Sequence, residues 1–139
     1  MVPSGDRTKT KADNSATFLM SNMMPQVPEL NREVWREFEE YCRLLISFGK
    51  ELYIVAGPYG KKGAIANGKV TVPSHNWKAV LVLDRPGRGL SGVTAQSQTI
   101  AVWMPNDKAI ASGIRILLLH QIYPARNSWS LSFCSSSII

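Results

Sequence analysis

The chain has 139 residues, room for one domain but not for two of ordinary size. Its 45 % hydrophobic and 19 % charged content excludes a disordered polymer, no apolar run nears the roughly 18 residues that cross a bilayer, and two cysteines are too few for a disulfide framework. A formal charge of +6 and a pI near 9.6 favour polyanionic partners without naming one.

Residues 1–14 are polar, rich in Lys, Asp, Ser and Thr, and read as a loop. Ala16 to Ser21 is a short apolar run with aromatic and β-branched members, expected to be a buried strand or extended segment. Met23-Met24-Pro25 ends it, and Pro28 keeps the chain extended up to Leu30. From Asn31 to about Phe48 the period becomes helical: Val34, Phe38, Tyr41 and Leu45 would form one apolar face, with Gly49 as the stop. A second stripe carries Asn31, Trp35, Glu39 and Arg43, each four residues after the last. Cys42 falls inside this helix and is expected to be a small buried apolar residue.

Glu51 to Ala56 reads as a buried strand, and 57–68, rich in Gly and Lys, as a loop or wide hairpin. Lys69 to Val72, Trp77 to Asp84 and Thr99 to Met104 follow as strands, with a turn at Pro86-Gly87. The expected class is α+β, a mostly antiparallel sheet flanked by helix. Gly63 to Lys69 (GAIANGK) has the glycine and lysine spacing of a phosphate-binding loop. Val70 stands where that motif needs Ser or Thr, and a strand follows instead of a helix, so it is set aside. After Asp107 the pattern changes: from Lys108 to Ile139 there is no Asp or Glu, and the end is rich in serine. Two readings stand for this stretch, a shift of reading frame near Ala109 to Ile114 and a divergent natural tail.

The stretch MVPSGDRTKTKADNSATFLMSNMMPQ, followed by LNREVWREFEEYCR, resembles the DNA/RNA non-specific endonucleases, the sugar-non-specific nucleases of the ββα-metal fold, bacterial branch. The resemblance covers residues 1 to about 107. It implies a partial endonuclease domain at 1–107 with an incomplete ββα-metal fold, leaving 108–139 as the divergent or frame-shifted tail. In that family Asp-Arg-Gly-His runs directly into Met-(Ala/Val)-Pro-Ser. Met1, Val2, Pro3 and Ser4 match, and the histidine position falls before Met1, so an N-terminally truncated chain is expected. Members are often secreted or periplasmic, but no signal peptide opens at Met1, and the compartment stays open.

The resemblance implies a single Mg²⁺, with Mn²⁺ as the alternative, held by Asn31 in the Asn-x-x-x-Trp pattern that Asn31 and Trp35 match. Mg²⁺ takes hard oxygen ligands and keeps several waters, so one amide oxygen plus substrate phosphate can suffice. On spacing alone, helix capping by Asn31 is an equal reading. Glu39 would hold a metal-bound water and Arg43 would contact phosphate; an i, i+4 surface ion pair between them is the plain alternative. Asn22 matches a polar position that supports the site, or is simply a turn asparagine.

The implied reaction is Mg²⁺-dependent hydrolysis of phosphodiester bonds in DNA and RNA, with a histidine general base activating the water. His75, in the loop VPSHNW, reads as a surface histidine, and His120 lies in the anomalous tail. The chain is therefore expected to be inactive or weak. The alternatives are a non-catalytic nucleic-acid-binding remnant that keeps Arg7, Lys9, Lys11, Arg32, Arg36 and Arg43, or a product that folds poorly.

Overall fold

The computed structural model describes residues 1–109 and 115–119. A 3₁₀ turn at Ser4–Asp6 and a short helix α1, Lys11–Ala16, occupy the segment expected to be a loop. Thr10 starts α1: its Oγ1 accepts the Asp13 N–H at 3.0 Å and donates to Asp13 Oδ2 at 2.8 Å. The strand expected at Ala16 to Ser21 does not form. Phe18, Leu19 and Met20 are 61 %, 60 % and 72 % exposed, and a 3₁₀ turn follows at Met20–Asn22. Strand-like composition needs a neighbouring strand to pair with, and among the described residues none pairs with this segment.

The long helix already includes Pro28 and Glu29, where the chain was expected to stay extended; it passes through a π-helical turn, Leu30–Val34, and continues as α2, Trp35–Ser47. Its C-terminus closes as the composition demands. Gly49, at φ 78°, donates to the Ile46 carbonyl and Lys50 donates to Leu45, the paired bonds that satisfy the last carbonyls of a helix. The face that α2 buries differs from the expected one. Trp35, Phe38 and Cys42 enter the core, Val34 and Leu45 pack at its margin, and Tyr41 is exposed. Cys42 is buried, as its position in the helix suggested.

The sheet holds four strands in the order β1-β4-β5-β6: Glu51–Tyr59, His75–Leu83, Gln98–Pro105 and Arg115–Leu119. Every pairing is antiparallel. The class is α+β with the sheet flanked by helix, consistent with a ββα-metal nuclease-like fold. β2, Gly63–Ile65, and β3, Val70–Val72, form a separate hairpin around a turn in which Ala66, Asn67 and Gly68 have positive φ. This is the GAIANGK stretch, and no helix starts there.

Along β4 burial alternates, with Val80 and Val82 facing α2 together with Ile100, Val102 and Met104 of β5. β1 is an edge strand and is not fully buried, since Ile54 and Val55 are exposed. It also runs past its expected end, through Gly57 and Pro58. An edge tolerates proline, and a Cβ at Gly57 would lie 2.9 Å from the Trp77 indole opposite it. Truncating Trp35, the largest side chain between helix and sheet, is expected to cost about 3–5 kcal/mol. β6 lies in the stretch read as a tail. Of the proposed frame-shift interval, 110–114 lie outside the described residues, as do His120 and Cys134.

Candidate functional site

Asn31 sits inside the π-helical turn and does not cap the helix. Its N–H bonds back to the Val27 carbonyl at 3.1 Å, and the Trp35 N–H reaches five residues back to Leu30. With the backbone already satisfied, the capping role is removed. The side chain is exposed and, among the described residues, has no hydrogen bond, so its amide oxygen is available as a hard ligand. Among the described residues no three His, Cys, Asp or Glu side chains gather to hold an ion. A divalent ion here would rest on one amide oxygen, waters and substrate phosphate.

Two turns further on, the alternative of a Glu39–Arg43 ion pair does not form; each residue has another partner. Glu39 Oε1 accepts from Lys78 Nζ of β4 at 3.1 Å. The Lys78 side chain is 2 % exposed and that of Glu39 16 %. The ammonium also lies 4.3 Å from the Trp35 ring centroid and 5.7 Å from that of Phe38. Arg43 Nε donates to Asp6 Oδ1 at 2.8 Å, with side chains 38 % and 39 % exposed. That hydrogen bond raises the already high guanidinium pKa, so Arg43 is cationic at any working pH. Buried Cys42 lies between the two pairs: burial pushes its thiol pKa up, with Lys78, Glu39, Asp6 and Arg43 all acting on it. At neutral pH it is an uncharged thiol.

Asn22 turns its whole amide to the N-terminal segment. Oδ1 accepts the Val2 N–H at 2.7 Å, while Nδ2 donates to the carbonyls of Val2 at 2.9 Å and Thr17 at 2.8 Å. It binds Val2 on both sides, as a neighbouring strand would. Asn14 Nδ2 bonds the Ser4 carbonyl at 2.9 Å, Met1 packs on the core, and Asp6 meets Arg43. The N-terminal segment is thereby tied to the core through Met1 and to α2 through Asp6 and Arg43.

The sequence matches the family model for DNA/RNA non-specific endonucleases over residues 1–132. The chain belongs to this family. It is 62 % identical over 107 residues to a nuclease of Nostoc sp. strain PCC 7120, covering 77 % of this chain and 39 % of that protein. Nuclease C1 of Cunninghamella echinulata is 35 % identical over 94 residues, 59 % of this chain and 37 % of that one. Human mitochondrial endonuclease G is 36 % identical over 83 residues, 51 % and 28 % respectively. The matched part thus spans well under half the length of each relative.

Several residues of this family member carry the site without having been singled out by sequence. Lys78 is one of the chain's scattered basic residues and belongs to no motif. Its even-numbered place with Val80 and Val82 in an alternating strand was the available signal that it points inward. Asp6 had no local signal, because its partner is 37 residues away. Asn106 is fully buried. Its Oδ1 accepts the Val27 N–H at 2.8 Å, and Nδ2 donates to the Pro25 and Pro73 carbonyls at 3.0 Å each, fixing the approach to the Asn31 turn. His75 is not a loop histidine. It opens β4, half-buried, stacked on Trp103 at 5.2 Å between centroids and 3.1 Å from Ser74 Oγ.

Proposed function

We propose that this chain is the metal- and phosphate-binding half of a Mg²⁺-dependent endonuclease that hydrolyses DNA and RNA. The observation that carries the reading is one helix face with three polar side chains at four- and eight-residue spacing. Asn31 has an exposed side chain whose amide oxygen has no partner among the described residues, Glu39 is anchored from the sheet, and Arg43 is held at the surface. Asn31 would hold the ion, Mg²⁺ or Mn²⁺, which when bound stabilises charge on the phosphate and on the departing 3′ oxygen. Glu39 would orient a metal-bound water. Arg43 would exchange Asp6 for a phosphate oxygen and neutralise charge developing there. Asn22 would act indirectly, by fixing the backbone at Val2.

In hydrolysis, water adds to phosphorus, the bond to the 3′ oxygen breaks, and the water proton goes to a general base. The histidine that the family places before Met-Val-Pro-Ser is not among these 139 residues, and His75 is occupied by Trp103 and Ser74. The 139-residue polypeptide should therefore nick plasmid about 10²- to 10⁴-fold more slowly than the same chain extended at its N-terminus by Asp-Arg-Gly-His. Supercoiled-plasmid nicking with Mg²⁺, with EDTA, and with Asn31→Ala in both forms tests this. Chelator and Asn31→Ala should each abolish nicking. Salt-sensitive binding without cleavage in either form would replace this reading with a non-catalytic nucleic-acid-binding protein.

A further inference from the structure

We propose that Lys78 is a positioning residue for Glu39, holding one carboxylate oxygen in the core so that the other is presented to the site. The proposal rests on the nuclease reading above. Lysine is almost never buried unless paired, and Lys78 is 2 % exposed at the centre of β4, flanked by β1 and β5. Packing does not account for it. A methionine would fill the space beside Trp35 and Phe38, and a buried ion pair is commonly no more stabilising than apolar side chains of the same size. What lysine adds is a fixed donor to one named acceptor.

The carboxylate of Glu39 is divided by that donor. Oε1 takes the ammonium at 3.1 Å, while Oε2 has no partner among the described residues and the side chain keeps 16 % exposure. A carboxylate on a helix has three side-chain torsions to order. Lys78 supplies the anchor from the most rigid part of the molecule, a central strand in register with Ala56 on one side and Val102 on the other. Arg43, one turn further along the helix, makes no hydrogen bond to Glu39 among the described residues; its Nε donates to Asp6. Lys78 touches neither substrate nor metal in this scheme; it acts only through Glu39.

The test measures plasmid nicking in the 139-residue chain and in its N-terminally extended form. In each, Lys78→Met, Lys78→Arg, Glu39→Gln and the Glu39→Gln/Lys78→Met double variant are compared with the parent. Rates are taken across DNA and Mg²⁺ concentrations, below the melting temperature of each variant. Positioning expects Lys78→Met to lower the rate at saturating DNA by about 10- to 100-fold, with KM for DNA unchanged. The Mg²⁺ needed for half-maximal nicking should rise. Lys78→Arg should recover part of the rate, and the double variant should be no slower than Glu39→Gln alone, because both act through one carboxylate. If Lys78→Met unfolds, Lys78→Arg and the double variant carry the same comparison, the double leaving no unpaired buried charge.

A Lys78→Met protein that melts lower yet nicks at the parental rate would overturn the proposal and leave the nuclease reading standing. So would a double variant in which the two losses multiply. If neither parental form nicks plasmid, the nuclease reading fails, and the role of Lys78 with it.

Discussion

Two ion pairs sit one helical turn apart on α2 and differ in almost everything but sign. Glu39 and Lys78 meet between helix and sheet, out of water, with an aromatic ring over the cation. Arg43 and Asp6 meet at the edge, more than a third exposed, between the helix and the N-terminal segment. The first pair cannot separate without leaving a buried charge unpaired, so it fixes geometry. The second is screened by solvent and loses little when it opens, so its arginine can change partners. One helix thus carries a permanent contact and an exchangeable one, which suits a side chain that aims a water and another that receives a phosphate.

The sharpest way to break this contrast is Lys78→Met, expected to lower the unfolding free energy by about 3–5 kcal/mol by stranding the Glu39 carboxylate. Urea denaturation should show most of that loss recovered in the Glu39→Gln/Lys78→Met double variant; equal midpoints for Lys78→Met and parent would mean that the pair is solvated after all. Next in size is Asn106→Ala. Removing three side-chain hydrogen bonds leaves the Val27 N–H and two carbonyls without partners, for a loss of about 2–4 kcal/mol. Hydrogen exchange should then speed up at Val27 and along the Asn31 turn before it does in β4.

Asp6→Asn should be milder, below about 1 kcal/mol in stability, and smaller still in high salt. If Arg43 is exchangeable, this variant binds a short duplex at least as tightly as the parent. Weaker binding would show instead that Asp6 must hold Arg43 in place.

Cys42, between the pairs, offers a pH probe of the same region. Its folded-state pKa is raised from the ordinary 9.0, burial being the main cause. The sign follows: a group raised on folding contributes stability that is intact below its unfolded pKa and lost as pH rises through the folded value. The denaturation midpoint should therefore fall above about pH 9, and Cys42→Ala should flatten that decline. In a Cys134→Ser background, alkylation of Cys42 should stay slow until the helix lifts from the sheet.

Much of this molecule is visible in residue spacing, and the reason is local. The helix from Asn31, its stop at Gly49 and the strands from Glu51, Trp77 and Thr99 follow from periodicities of 3.6 and 2. Asn31, Trp35, Glu39 and Arg43 fall on one stripe by arithmetic alone. Misreadings arose where local composition had no tertiary partner. Phe18-Leu19-Met20 has the residues of a strand but, among the described residues, no strand to pair with. Tyr41 has the spacing of a core residue, yet Trp35 and Cys42 took the buried side because the π-helical turn and the sheet set how α2 is rotated.

Sequence by itself determined the family, the order of the main elements from the Asn31 helix to the strand at Thr99, and the identity of the candidate side chains, all of which reside in motifs and short-range periods. It also left Glu39 and Arg43 four residues apart, a spacing from which a surface pair follows. Tertiary structure decided otherwise, giving Glu39 to a lysine 39 residues away and Arg43 to an aspartate 37 residues before it. The physical reason is that a desolvated cation needs its counter-charge far more than an exposed one does. Which cation is desolvated depends on how sheet and helix pack, and no local pattern in the chain records that.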